Sequence, residues 1–197
     1  MGDGQAMIRK ITGYSLLATA LLGLFPLACQ PGGVGDPCTP EDEYIQDFTG
    51  YNAQEVNVES KSFQCETRVC LVNHFQGRVS CKYGQDTPNT NCSRPGDKNQ
   101  KIDAVVDAQL KNRQADRAVY CSCRCDGEDK NARYCKCPSG YACTHLVDDL
   151  AIGGTQLAGS YCVRDGTGYE PSDSEACSPK GYPTVQGTPT CGEPTEG

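Results

Sequence analysis

The chain has 197 residues, 15 cysteines, no tryptophan and a net charge of -7 at neutral pH. Because it is acidic and has no cluster of Lys and Arg, the composition argues against nucleic acid as a partner. After residue 28, Val, Ile, Leu and Phe together make up only 23 of 169 residues. Such a chain would be disordered unless other bonds replaced the missing apolar core, and its cysteines offer disulfides for that purpose.

The first 28 residues are organised like an export signal. Arg9 and Lys10 precede an apolar stretch over residues 11–28, and a positive region followed by an apolar region is typical of a signal peptide. Met7 is an alternative start to Met1, because it begins a more compact leader. This leader is predicted to be removed on export.

The leader ends in Pro26-Leu27-Ala28-Cys29, which resembles the lipobox of bacterial lipoproteins. Ala28 and Cys29 match that motif, whereas Pro26 and Leu27 replace the usual Leu and small residue. The resemblance implies lipidation of Cys29, which would then be the mature N-terminus and make a membrane the first partner. By the same resemblance, Gln30 rather than Asp implies the outer membrane of a Gram-negative bacterium. An uncleaved membrane anchor and plain secretion are the alternatives.

The cysteines that follow Cys29 number 14, an even set that can pair completely. An exported chain meets an oxidising compartment, where such a set forms a disulfide framework. The predicted disulfide cysteines are Cys38, Cys65, Cys70, Cys81, Cys92, Cys121, Cys123, Cys125, Cys135, Cys137, Cys143, Cys162, Cys177 and Cys191. The alternative is thiolate binding of zinc or copper, but the usual Cys-x-x-Cys spacing is missing, so no cofactor is expected.

Composition divides the exported chain into three parts. Residues 29–54, rich in Pro, Gly and acidic side chains, are predicted to be a flexible, lipid-tethered linker. Residues 55–166 are predicted to form a disulfide-rich β domain. Residues 167–197 form a Pro- and Gly-rich tail, for which a Cys177–Cys191 bridge is the simplest closure. The expected fold class is a small disulfide-rich protein, mainly β with one short helix and irregular loops.

Three elements are predicted in the first part of the domain. Val and polar residues alternate over residues 55–59, which predicts a strand. Two β-rich runs, 67–72 and 78–83, flank a Gly-containing turn and predict a hairpin. If its loop has four residues, Cys70 lies opposite Cys81 and a bridge between them is geometrically possible.

Residues 84–100 are predicted to be a long surface loop tied down by Cys92. Apolar residues then recur at near-helical spacing over residues 102–110, which predicts a short amphipathic helix. Further along the chain, residues 146–157 and 161–163 are predicted to be ordered segments.

The run over residues 118–125 predicts a strand, on which its three alternate cysteines share one face. Cysteines two positions apart cannot easily bridge each other, so each is expected to have a different partner. The two cysteines of residues 135–137 follow the same rule on a second short strand. Residues 126–133 would form the turn between the two strands.

Residues 135–143, Cys-Lys-Cys-Pro-Ser-Gly-Tyr-Ala-Cys, resemble the closing segment of EGF-like modules. That segment has a Cys-x-Cys-Pro-x-Gly-aromatic run. The chain departs from the family because one residue rather than several separates Tyr141 from Cys143. The resemblance implies a β-hairpin stapled by sulfur, and convergence among small disulfide-rich domains is the alternative.

A few polar side chains are candidates for a site. Asp126, Glu128 and Asp129 are weak calcium candidates, because their spacing does not match an EF-hand loop and suits a solvated turn. His74 is expected at a loop tip and His145 in a packing or surface position. No catalytic residue is predicted, since the common hydrolase and phosphate-binding motifs are missing.

The sequence favours a non-catalytic binding or structural module of the cell envelope, with a protein or glycan as its further partner. Phe75, Tyr83 and Tyr141 are candidate contact aromatics, although all three could equally belong to a small core, and the core is the expected place of Tyr141. Two alternatives stay open. One is an envelope hydrolase using paired carboxylates, and the other is a thiolate metal carrier.

Overall fold

The computed structural model describes residues 32–149, 157–170, 175–177 and 191. The strands of these residues are β1 (Val56–Glu59), β2 (Val69–Asn73), β3 (Ser93–Arg94), β4 (Asp97–Lys101), β5 (Val119–Ser122), β6 (Arg124–Asp126), β7 (Tyr141–Val147) and β8 (Gly159–Arg164). A 3₁₀ turn spans Glu41–Tyr44 and a helix, α1, spans Ala115–Ala118. This mainly β, disulfide-rich architecture confirms the predicted fold class.

The first sheet is antiparallel and has the strand order β1-β2-β5. Val56 lies opposite Asn73 across the β1–β2 pair, and Cys70 lies opposite Cys121 across the β2–β5 pair. β2 is the central strand, and its residues 70–73 are all buried. The alternation over residues 55–59 is confirmed as β1.

The predicted hairpin between β2 and residues 78–83 is wrong. β2 pairs with β1 and β5 instead, and residues 78–83 contain no strand. Gly77 has a φ of 81°, and Arg78 after it is fully buried. The chain therefore turns into the interior rather than back along β2, and Cys70 and Cys81 have other partners.

The predicted helix over residues 102–110 is also wrong. The backbone of Val106 pairs with that of Gln85 through hydrogen bonds of 2.8 and 3.0 Å, and the Gln85 amide donates to the carbonyls of Ile102 and Ala104. These bonds satisfy backbone groups that a helix would have paired internally. The side chains of Ile102, Ala104 and Val106 pack instead in a buried cluster with the Cys81–Cys92 disulfide.

The second sheet is antiparallel, with the order β6-β8-β7. The predicted strand over residues 118–125 forms, but it divides at Cys123 into β5 of the first sheet and β6 of the second. The Ser122 hydroxyl donates to the Cys162 carbonyl at 2.8 Å and so joins the two sheets. Residues 135–137 are not a strand, so the predicted second short strand at these residues is wrong. The strands that join β6 in this sheet are β8 and β7.

Residues 32–54 differ from the flexible linker predicted from their composition. Gly32 forms a parallel bridge with Cys65, a disulfide to β2 holds Cys38, and Glu43 is fully buried. Pro and Gly here exclude regular helix and strand, but long-range bonds still order the backbone. The segment is part of the domain.

Three sequence predictions concern the C-terminal part. The Cys177–Cys191 bridge is confirmed, and residues 161–163 lie in β8. The segment predicted over residues 146–157 is only partly visible, because residues 150–156 lie outside the described residues.

Candidate functional site

All 14 cysteines after Cys29 are paired. The seven disulfides are Cys38–Cys70, Cys65–Cys121, Cys81–Cys92, Cys123–Cys135, Cys125–Cys143, Cys137–Cys162 and Cys177–Cys191. The three alternate cysteines of residues 121–125 therefore have three different partners, as predicted. So many disulfides indicate that the chain folds in an oxidising compartment. Cys29, the predicted lipidation site, lies outside the described residues.

The sulfur atoms collect in two places. Cys38, Cys65 and Cys121 bring their Sγ atoms within 4.8 Å of one another beside the first sheet. The second place is the three-disulfide cluster, which comprises Cys123–Cys135, Cys125–Cys143 and Cys137–Cys162. Within it, the Sγ atom of Cys162 lies 3.5 Å from that of Cys123 and 3.6 Å from that of Cys135.

The sulfur atoms of a disulfide do not bind metal ions as a thiolate does. A disulfide sulfur has no negative charge, whereas the nucleophile and metal ligand of cysteine is the thiolate. Among the residues that the structure describes, the sets of three close potential metal ligands consist of these bonded cysteines. The metal-carrier alternative therefore needs a reduced form of the chain.

The carboxylates of the calcium candidates Asp126 and Asp129 accept hydrogen bonds from backbone amides of their own turn. Asp126 Oδ1 accepts from the Gly127 amide at 2.8 Å, and Asp129 Oδ1 accepts from the Asn131 amide at 2.8 Å. These are local side-chain turns, a common use of Asp in loops. Together with Glu128, they do not form a set of three close ligand atoms among the described residues.

A mixed-charge groove opens beside this turn, with a volume of about 280 Å³. Its charged lining comprises Asp126, Glu128, Lys130, His145 and Asp149. His145 is exposed and its Nε2 lies 2.9 Å from an oxygen of Asp148. The groove therefore offers both signs of charge to a ligand.

An acidic groove of about 210 Å³ lies at β1, between the 3₁₀ turn and the first sheet. Its acidic side chains are Glu41, Asp42 and Glu59, and Tyr51 also lines it. Glu59 Oε2 accepts from the Glu41 amide at 3.0 Å, and the Tyr51 hydroxyl donates to Asp42 at 3.3 Å. The sequence did not reveal this site, because residues 41–43 read as a solvated acidic run.

Burial and negative charge shift two pKa values in the acidic groove. Burial raises the pKa of the Glu59 carboxyl above its usual value, and the negative charges of Glu41 and Asp42 act in the same direction, whereas the hydrogen bond from the Glu41 amide opposes them. Burial also raises the pKa of the Tyr51 hydroxyl, and Asp42 adds to that effect. The groove thus favours a cationic group, which would relieve the repulsion between its carboxylates.

The three candidate contact aromatics lie in different environments. Phe75 is fully buried in the core, and Tyr83 is half-buried. Tyr141 packs edge-on against Tyr120, with ring centroids 5.8 Å apart, as expected for a core residue. The most exposed large apolar residue among those described is Phe63, with 76% of its surface accessible.

His74 is not a free loop-tip residue. Its Nδ1 lies 3.0 Å from the Ala53 carbonyl oxygen, and its ring stacks on Tyr169 at a centroid distance of 5.2 Å. Burial lowers the pKa of the imidazole below 6.5, and Arg113 acts in the same direction. The residue joins the end of β2 to the beginning of the tail.

No protein-family model, curated protein or solved structure matches this chain. The resemblances to a lipobox and to EGF-like modules therefore stay predictions. In the part of the chain that the structure describes, no helix is long and apolar enough to span a membrane.

Proposed function

We propose that the protein is a bacterial envelope lipoprotein, acylated at Cys29, and that its domain is a non-catalytic binding or structural module. The observation that carries this proposal is the pairing of the other 14 cysteines among themselves. This leaves Cys29 outside the disulfide framework, as acylation of its sulfur requires. The export leader that ends at Ala28 supports the same proposal independently.

The binding role is supported by the form of the surface. Both grooves are open and include several charged side chains among their apolar ones, and charged groups on an open surface can pair with those of a large partner. Such a surface suits a protein or glycan of the envelope. The acidic groove would take a positively charged group of that partner.

The first test is the intact mass of the protein purified from its own envelope, with alkylation before and after reduction. We expect a chain that begins at Cys29, carries acyl mass, takes no label before reduction and takes 14 labels after it. The C29S variant is the control, and it should leave the membrane fraction while its disulfides stay intact. An unacylated chain, or one with many reactive thiols, would refute the proposal.

The outer-membrane assignment depends on Gln30 and has a separate test. We expect the Q30D variant to move from the outer-membrane to the inner-membrane fraction, because Asp after the lipidated cysteine changes sorting in the lipoproteins that this leader resembles. The Q30N variant is the control, because Asn has the size of Asp without its negative charge. Identical fractionation of Q30D and the parent protein would contradict the assignment.

One observation favours the hydrolase alternative enough to test it. Asp42 and Glu59 line the same groove, and most glycosidases use a pair of carboxylic side chains that flank the bond to be cleaved. We expect the wild-type protein to release no soluble fragments from purified peptidoglycan. Release that the D42N and E59Q variants both abolish would make the domain an enzyme.

A further inference from the structure

The domain begins almost at the proposed lipid. The Gly32 amide donates to the Gln64 carbonyl at 2.7 Å, and the Glu66 amide donates to the Gly32 carbonyl at 2.9 Å. The next residues are held as firmly, because the Gly35 amide donates to the Cys121 carbonyl at 2.8 Å. The backbone is therefore fixed to the first sheet from Gly32 onward.

Covalent geometry limits the distance from this anchor to the lipid. Three residues of chain join Cys29 to Gly32, and three residues reach at most about 11 Å when fully extended. A lipid on Cys29 would therefore hold the surface around Gly32 close to the bilayer. The loop that receives Gly32, residues 61–68, must then lie near the membrane too.

Phe63 is the most exposed large apolar side chain of the described residues, and it belongs to this loop. It precedes Gln64, which bonds to Gly32, and 76% of its surface is accessible. An exposed Phe in a loop this close to a lipid can bury its ring in the bilayer, and the transfer of apolar surface out of water is favourable. The distance limit makes the bilayer the nearest candidate.

The loop around Phe63 is rigid, so its exposure is part of the fold. The Ser62 amide donates to the Arg68 carbonyl at 3.0 Å. Cys65 is bonded to Cys121, and the Thr67 hydroxyl donates to the Ser122 carbonyl. The loop presents the Phe63 ring without having to be ordered on binding, which lowers the cost of a contact.

The charges beside the ring are suited to a lipid headgroup region. The guanidinium of Arg68 lies 4.0 Å from the centre of the Phe63 ring, and Lys61 is also exposed. An aromatic ring with adjacent cations can place the ring at the acyl boundary while the cations contact phosphates. Glu66 and Asp36 are exposed nearby and offset these charges, so the contact depends on the ring rather than on net charge.

We infer that Phe63, Lys61 and Arg68 dock on the bilayer surface beside the lipid of Cys29. This contact fixes the orientation of the domain, which a lipid alone would leave free to turn. The inference rests on the proposed acylation of Cys29. A protein partner or a second copy of the chain on Phe63 is the competing occupant.

The absence of tryptophan from the sequence allows a direct test. The F63W variant has a single indole at the proposed contact, and V105W has one at another exposed apolar position, where 52% of the Val105 surface is accessible. Each full-length variant is expressed, processed and purified from its membrane. It is then reconstituted in phosphatidylethanolamine and phosphatidylglycerol vesicles, with or without bromine on the acyl chains.

We expect brominated lipid to reduce the fluorescence of F63W and to leave that of V105W unchanged. Intact mass of the same samples reports acylation separately. Acylated protein in which F63W is not quenched, or is quenched no more than V105W, would overturn the docking and leave the proposed lipoprotein standing. Protein without acyl mass would remove the tether, and the docking inference would fail with it.

Discussion

The two sheets of this domain are stabilised in different ways. In the first sheet, β5 and most of β2 are buried, and their Val72 and Val119 side chains pack with Tyr51 and Phe75 in an apolar cluster. In the second sheet, the middle of β7 is exposed, and the three-disulfide cluster joins its strands and the segment at residues 135–137. Covalent bonds thus hold the region in which the chain has least apolar surface to bury.

This difference shows how a chain poor in large apolar side chains can fold. The few such residues are concentrated around β2 and β5, where their burial contributes most. In the second sheet, disulfides replace part of this apolar burial, because residues 123–162 contain six cysteines. Each long-loop disulfide contributes on the order of 2–4 kcal/mol. A buried ion pair between Glu43 and Arg78 lies in the segments that pack on the apolar cluster of the first sheet through Phe48 and Val79, and it gives the largest predicted mutational effect.

Replacing Arg78 should destabilise the first-sheet region most. Arg78 and Glu43 are both fully buried, with Nε 3.4 Å from a Glu43 oxygen, and the guanidinium also donates to the carbonyls of Ile45 and Phe48. The R78M variant leaves a buried carboxylate without its partner, at an expected cost of about 3–5 kcal/mol of unfolding free energy. Urea unfolding followed by circular dichroism measures it.

The control for R78M is K111M, which removes a partly exposed ion pair. Lys111 lies 3.0 Å from Glu175, whose side chain is 59% accessible, so its loss should cost less than about 1 kcal/mol. Equal effects of R78M and K111M would mean that the buried pair does not stabilise the first-sheet region.

Removing one disulfide from each sheet should change the hydrogen-exchange protection of the second sheet more than that of the first. Each of C137S/C162S and C38S/C70S is expected to cost about 2–4 kcal/mol. In C137S/C162S we expect the β7 amides to lose protection from hydrogen exchange, because little buried apolar surface supports that strand. In C38S/C70S, the β2 amides should stay protected, since β1 and β5 still cover them. Equal losses at both strands would contradict the comparison.

The smallest effect is expected at Glu59, on the edge strand of the first sheet. Its pKa in the folded protein is raised above 4.5, so the neutral form contributes stability below pH 4.5, and that contribution is lost as the pH rises through the folded pKa. E59Q resembles the neutral form and should stabilise the protein at pH 7 by about 0.5 kcal/mol, because solvent screens this half-exposed group.

The pH dependence distinguishes this effect from a change in packing. The gap between E59Q and the parent protein should close below pH 4, where Glu59 is neutral, in urea unfolding measured from pH 3 to pH 7. E55Q removes the same charge from an exposed side chain and controls for net charge. A gap that is constant across this range would rule out the ionisation of Glu59 as its cause.

Local pattern predicted some elements well. The alternation in residues 55–59 predicted β1, because a half-buried edge strand keeps a period of two. The cysteines of residues 121–125 were correctly expected to have separate partners, because strand geometry prevents a bridge between neighbours two apart. The pattern failed at residues 102–110. The apolar residues there have helical spacing, but they are buried because an extended backbone bonds to Gln85 and packs on a disulfide.

The candidate site was harder to predict than the fold class. Residues 41–43 and Glu59 are far apart in the sequence, and only the packing of the 3₁₀ turn against β1 brings their carboxylates to one groove. Phe63 and Phe75 also differ, since the first is exposed and the second is fully buried. Phe75 follows the apolar residues of β2, whereas polar residues surround Phe63, and this local difference agrees with their burial.

The sequence by itself determined that this chain needs disulfides, because too few apolar side chains remain after the leader to offset the loss of chain entropy. It also determined which cysteines could not pair, since neighbours on a strand are held apart. Apart from the Cys177–Cys191 bridge, only the tertiary structure decided which pairs form, because closing one loop rather than another differs little in entropy. Long-range packing of the strands sets those distances, and it also attaches residues 32–54 to the domain.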